Sequence, residues 1–145
     1  VGMLSEPYRL LAEAYLGQGK LEEAFETARH ALGLGQEFEA LDNIAGAWRV
    51  LGMIAAATGD PITIEGDSPQ ICDAAMCFEK SLQTYSKLKM EGEQAWTLRA
   101  WARFELEQGD RTRGEEMWKQ AREIFERLGA KLEAERMAAL PSASG

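Results

Sequence analysis

The segment Ala-Trp-Arg-Val-Leu-Gly-Met-Ile-Ala-Ala-Ala-Thr-Gly-Asp, at positions 47–60, decides the fold. Trp48 is followed three and four residues later by Leu51 and Gly52, a spacing that places large and small side chains on one face of a helix. Gly59 comes eleven residues after Trp48 and stands directly before an aspartate. Because glycine commonly ends helices and aspartate commonly begins them, the segment predicts a helix, a turn and the start of a second helix.

The same pattern occurs twice more in the chain. The other two copies contain Tyr8, Leu11, Ala12 and Gly19, and then Leu98, Trp101, Ala102 and Gly109. A second set of residues at steps of four and three follows each copy, and such steps place every member on one helix face. These sets are Ala24, Ala28, Ala31, Gly35 and Phe38; Ala74, Phe78, Ser81, Tyr85 and Leu88; and Gly114, Trp118, Ala121, Phe125 and Leu128. We therefore expect three helix pairs whose core stripes are these sets, with small residues where helices approach closely.

The spacing of the copies locates an insertion between Gly59 and Ala74. The first helices carry their leading bulky residue at positions 8, 48 and 98, so the second interval is the longer one. The second helices carry their leading small residue at positions 24, 74 and 114, so there the first interval is the longer one. The additional residues lie in a stretch that contains two prolines, a glycine and several turn-forming residues. This composition predicts a loop, and a tolerated surface insertion is the simplest interpretation of it.

These residues resemble the tetratricopeptide repeat, which combines a bulky residue, Leu-Gly, Gly-Asp and a row of alanine and aromatic residues at similar offsets. The resemblance implies an all-α fold, a right-handed superhelix of three helix pairs with a C-terminal capping helix, in a single domain over 1–145. The basic period, from Tyr8 to Trp48, exceeds the usual value of about 34 residues, and is similar to the MalT-like long repeats of bacterial multidomain signalling proteins. The expected boundaries are repeats at 5–38, 45–91 (insertion near 60–73) and 95–128, a capping helix at 130–140 and a flexible tail at 141–145.

The charge of the chain limits its partners. The net charge is −8, so the chain as a whole repels the phosphates of nucleic acids and anionic lipid head groups. No uncharged stretch approaches the length of a membrane span, and the chain starts without a signal-peptide pattern. We expect neither nucleic acid nor membrane as a partner, and a cytoplasmic location.

Candidates for catalysis or for binding a metal or cofactor are few. His30 is the only histidine, and the chain has no Gly-rich phosphate loop, no HExxH motif and no nucleophile elbow. Cys72 and Cys77, five residues apart on a predicted helix, point too far apart for a local disulfide, so we expect two reduced, buried thiols. The sequence therefore predicts a protein that is not an enzyme, with no catalytic residue, no cofactor and no metal.

The family resemblance also implies which side chains face a concave peptide-binding groove. These are the second, fifth, ninth and twelfth positions of each first helix, and the fifth position is arginine in all three repeats. Arg9 is expected to pair with Glu6 and Glu13 on its own helix. The candidate groove residues are Arg9, Arg49, Met53, Trp96, Arg99 and Arg103.

Two interpretations of these candidates stay open. In the first, Arg49, Arg99 and Arg103 form an electropositive strip that binds carboxylates of a protein or peptide partner, with Trp96 as an apolar anchor. In the second, the arginines pair with acidic residues of other helices, Glu13 among them, and Trp96 packs inside.

The predicted function is accordingly a scaffold or adaptor that binds a protein segment, acidic or carboxylate-bearing, in the groove. The alternative is self-association, or an intramolecular regulatory role in a larger bacterial signalling protein such as an ATPase, a cyclase or a transcriptional activator.

Overall fold

The computed structural model describes residues 5–141, and within this range it contains seven helices and one two-stranded sheet. The all-α class is thereby confirmed. The chain forms two compact units, one ending at Thr84 and the other beginning at Tyr85. Residues 142–145 of the predicted flexible tail lie outside the described range. The elements are α1 (Ser5–Gly17), α2 (Leu21–Glu37), α3 (Leu41–Thr58), β1 (Ile62–Ile64), β2 (Gln70–Cys72), α4 (Ala74–Lys87), α5 (Glu91–Gln108), α6 (Arg111–Arg127) and α7 (Lys131–Arg136).

In the first unit, small residues allow helices to approach closely. Gly35 of α2 lies against α3, where a Cβ atom at Gly35 would stand 3.0 Å from the Ile44 side chain. Gly52 of α3 faces α4, and its Cβ would stand 2.9 Å from the ring of Phe78 and 3.2 Å from the Cβ of Cys77. Because a side chain at either position would hold the helices apart, these glycines set the helix separations.

The second unit is built in the same way. Gly114 of α6 lies against α5, where a Cβ would stand 2.9 Å from the backbone nitrogen of Leu106. Trp118, Ala121 and Phe125 continue the same face of α6 and are buried. The predicted stripe of α6 therefore forms the core of the unit.

The predicted stripes end earlier than expected at two helix ends. Phe38 and Leu128 are 38% and 47% exposed, because they occupy the C-cap positions of α2 and α6, where the chain leaves the helix. On α1, Tyr8 and Leu11 are also exposed.

Turn residues mark the helix ends at a regular interval. The backbone φ angle is positive at Gly19, Glu39, Gly59, Lys89 and Gly129. The first three of these positions are evenly spaced, and the longer step from 59 to 89 contains the insertion. The step from Lys89 to Gly129 is twice as long as the step from Gly19 to Glu39. Helix α5 ends halfway between Lys89 and Gly129, at Gly109, where the φ angle is negative. One helix and the turn after it therefore occupy half as many residues as separate Tyr8 from Trp48. Two such helices make one repeat, which accounts for the long period of the helix pairs.

The prediction that the insertion is a loop was wrong, because it forms a β-hairpin. Strands β1 and β2 pair antiparallel, with Ile62 opposite Cys72 and Ile64 opposite Gln70. Ile62 and Cys72 are buried on one side of the hairpin, while Ile71 is 67% exposed. The β-branched run 62–64 favours a strand, but the surrounding prolines and glycine concealed this preference.

The C-terminal helix is shorter than the predicted span of 130–140, since α7 ends at Arg136. Of the large apolar residues in the predicted span, Met137 is buried, whereas Leu132 and Leu140 are 57% and 42% exposed. The indole N–H of Trp118 donates a 3.0 Å hydrogen bond to the carbonyl of Met137, which is the C-cap residue of α7. This contact and the burial of Met137 hold the chain against α6 where the helix ends.

Candidate functional site

Three of the candidate binding residues lie on one face of α5. Trp96, Arg99 and Arg103 are three and then four residues apart, so their side chains leave the helix in the same direction on successive turns. Thr97 and Leu98, between the first two, are buried and hold the opposite face against the core. The helix thus presents one indole and two guanidinium groups together.

Arg99 is held by a carboxylate of another helix. Its Nη1 donates a 2.9 Å hydrogen bond to Oε2 of Glu133 in α7, and the two side chains are only 21% and 18% exposed. Its guanidinium also lies 4.2 Å from the ring centroid of Trp96, a cation–π contact. Desolvation lowers the pKa of Arg99, Glu133 opposes this effect, and the nearby charges of Arg103 and Arg136 lower the pKa further.

Trp96 is fixed from its other side by the core of the unit. Its ring meets the ring of Phe125 in α6 edge to face, with the centroids 5.7 Å apart. Trp96 is half-buried between this ring and the Arg99 guanidinium. It therefore orients Arg99 as well as contributing apolar surface.

Positive charge exceeds negative charge around Glu133. Oε1 of Glu133 lies 3.5 Å from Nη1 of Arg136, so one carboxylate serves both Arg99 and Arg136. Arg103 is exposed, its guanidinium lies 5.9 Å from the ring centroid of Trp118, and it forms no ion pair with any carboxylate in the described range. We call Arg99, Arg103, Arg136 and Glu133 the arginine cluster.

The first unit contains a related arrangement around Glu13. Nη1 of Arg9 lies 3.0 Å from Oε1 of Glu13, as its i, i+4 spacing predicts, and Nη2 of Arg49 lies 3.9 Å from the same oxygen. Arg49 is buried, with 9% of its surface exposed, and Met53 is half-buried. The side chain of Glu6, the other expected partner of Arg9, lies outside the described part of the chain.

The structure thus divides the six candidates into two sets. Arg9 and Arg49 meet at Glu13 in the first unit, with Met53 one turn further along α3 from Arg49, whereas the other three candidates meet in the second unit. Arg49 and Arg99 both have a carboxylate partner supplied by another helix.

Sequence reasoning missed Glu133 and Arg136 as members of the site. Both lie within the predicted capping helix at 130–140, which contains none of the candidate binding residues. Their packing against α5 has no local sequence signal, because the distance from Glu133 to Arg99 is 34 residues along the chain.

The cysteines differ in position from the expected arrangement. Cys72 ends β2 and Cys77 lies in the first turn of α4, so they do not share a helix. Both are free and buried, as expected, but their side chains are close enough to hydrogen bond. Burial, followed by the proximity of Cys72 and Asp73, raises the pKa of the Cys77 thiol to about 12, so this thiol is a poor nucleophile at neutral pH.

Within 5–141, no three His, Cys, Asp or Glu side chains converge as metal ligands. No helix of this range combines the length and apolar character needed to cross a bilayer.

Comparisons of the chain with protein-family models and with curated proteins found no match, so the resemblance to tetratricopeptide repeats stays a prediction that rests on the residues themselves.

Proposed function

We propose that the chain is a non-catalytic binding module of the tetratricopeptide type, and that its arginine cluster binds a carboxylate-bearing segment of a protein partner. The observation that carries this proposal is the ratio of charges in the cluster. The cluster contains three guanidinium groups and one carboxylate, which already bonds to two of them, and Arg103 is exposed to solvent.

A partner's carboxylate would be stabilised at this position for two reasons. The cluster has a net charge of about +2 beside a protein surface, where charges interact more strongly than in bulk water. Guanidinium groups also bind carboxylates through two parallel hydrogen bonds, which adds specificity to the attraction. Arg103, which is exposed on α5, would make these bonds together with Arg99 of the same helix.

The distribution of charge along the chain favours the second unit for an acidic partner. Up to Thr84 the sequence has 13 Asp and Glu against 5 Lys and Arg, whereas from Tyr85 onward it has 11 of each. The whole net charge of −8 therefore belongs to the first unit, which repels acidic segments. The second unit is neutral overall and positive at the cluster.

Two further observations support the wider proposal of a helical-repeat scaffold in the cytoplasm. The evenly spaced turns between helices are what a repeated helix unit requires. The two buried, free cysteines are typical of a reducing compartment. A signalling role, as in the long-repeat proteins that the sequence resembles, belongs to the same proposal.

Fluorescence anisotropy with a labelled hexaglutamate peptide at low ionic strength tests the binding site. We expect Arg103→Ala to weaken binding by about fivefold or more, since a charged hydrogen bond is lost. Arg122→Ala is the matched control, because Arg122 is an exposed arginine of the same unit that pairs with Glu126 on its own helix.

A hexaglutamine peptide should not bind. Equal losses for Arg103→Ala and Arg122→Ala, or no binding of hexaglutamate at all, would reject the arginine cluster as the site. Measuring the solution mass over the same concentrations separates peptide binding from the self-association alternative.

A further inference from the structure

We infer that α7 is a built-in competitor for the arginine cluster, in which the Glu133 carboxylate occupies the place on Arg99 that a partner's carboxylate takes. This inference rests on the proposed function and adds its regulation. In the structure Arg99 is paired with the chain's own Glu133, so a partner's carboxylate reaches Arg99 and Arg103 by displacing α7, together with Arg136, from α5.

The first argument is the chemistry of the resident group. Glu133 uses Oε2 towards Arg99 and Oε1 towards Arg136, which is how one carboxylate bridges two guanidinium groups. Without a carboxylate at this position, the largely buried Arg99 guanidinium would lose the negative charge that opposes its desolvation. Exchanging one carboxylate for another preserves the charge balance, so a partner's Asp or Glu can replace Glu133 without leaving Arg99 unpaired.

The second argument is the weak attachment of α7. The helix has six residues, none of them buried, and so short a helix has little stability of its own. Besides the Arg99–Glu133 ion pair, α7 is held against α6 by the following residue, Met137, which is buried and whose carbonyl accepts the Trp118 indole N–H. A segment with so few buried groups opens locally at low free-energy cost.

The third argument is that the competing role belongs to one carboxylate of α7. Glu135, two residues later on the same helix, is exposed and forms no ion pair within the described range. Glu133 is 18% exposed and forms two. Substituting each residue in turn therefore distinguishes two effects on binding. One is competition by Glu133 for Arg99, and the other is the loss of one negative charge anywhere on α7.

The first experiment compares Glu133→Gln with Glu135→Gln in hexaglutamate anisotropy, using the full chain at low ionic strength. Glutamine keeps the size of the side chain but removes its charge. We expect Glu133→Gln to tighten binding by about three- to tenfold, because the internal competitor is weakened. Glu135→Gln should leave the affinity within about twofold of the unaltered chain, since its charge is remote from Arg99.

The second experiment detects the displacement directly. NMR can follow the exchange of the Trp118 indole proton with solvent, and the Trp118→Phe variant assigns its signal. The exchange rate reports whether the indole N–H still bonds to the Met137 carbonyl. We expect saturating hexaglutamate to accelerate the exchange in the unaltered chain. Hexaglutamine, added at the same concentration, should not change it.

The outcomes separate the two proposals. If hexaglutamate binds in an Arg103-dependent manner but equally to the unaltered chain and Glu133→Gln, the binding site stands and the competitor inference is rejected. Unchanged exchange of the Trp118 proton at saturation rejects it as well. If no form of the chain binds hexaglutamate, both the proposed function and the inference are rejected.

Discussion

Arg99 donates a 2.9 Å hydrogen bond to Glu133, a residue 34 positions further along the chain. This contact joins α5 to α7 and brings Arg136 to the same carboxylate. A short C-terminal helix, expected only to cover apolar surface, thus completes the electrostatics of the candidate site.

The Arg99–Glu133 pair should contribute measurably to stability. Because both side chains are about four-fifths buried, we expect a coupling free energy of about 1 kcal/mol in a double-mutant cycle with Arg99→Gln and Glu133→Gln. The exposed i, i+4 pair Arg122–Glu126 is the control and should give about 0.3–0.5 kcal/mol. Urea unfolding of each variant provides the values, and equal couplings would contradict this prediction.

Gly52 should be required for the packing of α3 against α4. A Cβ atom there stands 2.9 Å from the ring of Phe78, which is fully buried and cannot move away without disturbing its neighbours. We expect Gly52→Ala to lower the free energy of unfolding by about 1–3 kcal/mol. Gly33 of α2, whose Cβ would meet nothing within 4 Å, is the control. Gly33→Ala should stabilise the protein by about 0.5–1 kcal/mol through helix propensity, so destabilisation by both changes would speak against a packing effect.

Lys89 should be less favourable than glycine at its position. Its φ angle of 57° lies in the left-handed region, which glycine adopts without steric cost. We expect Lys89→Gly to raise the free energy of unfolding by about 0.5–1 kcal/mol. The comparison is Lys119→Gly within α6, which should destabilise by about 1 kcal/mol because helical glycine is unfavourable. Thermal unfolding of the two variants tests the sign of the change in unfolding free energy. If Lys89→Gly is destabilised, the contacts of the lysine side chain stabilise the fold by more than its left-handed backbone conformation costs.

Cys77 should make stability fall at high pH. Its thiol has a folded-state pKa of about 12, above the ordinary 9.0, so the unfolded chain loses the proton first as the pH rises. The stability that the neutral thiol contributes is complete below pH 9 and is lost progressively between pH 9 and 12.

This effect can be isolated with Cys77→Ala. Between pH 8 and pH 10, the unaltered chain should lose about 1.4 kcal/mol more unfolding free energy than the variant. Urea unfolding at the two pH values gives the difference. Parallel losses in both proteins would show that the thiol ionises normally in the folded state.

Much of the helical framework could be predicted because its signals are local. The small residues of α2 and α6, such as Ala28 and Gly114, recur at steps of three and four and are buried as expected. The hairpin escaped prediction because three-residue strands are stabilised by their partner strand, and neither Ile62–Ile64 nor Gln70–Cys72 has a strong pattern alone. The same error misplaced Cys72 on a helix.

By itself, the sequence determined that most of the chain is helical and that Arg9 can pair with Glu13, since each of these depends on residues within a few positions of one another. Only the tertiary structure decided that Glu133 and Arg136 join Arg99, and that Arg49 reaches Glu13 on another helix. The physical reason is that ion pairs between helices depend on the direction and depth of side chains after packing, which hydrophobic periodicity does not specify.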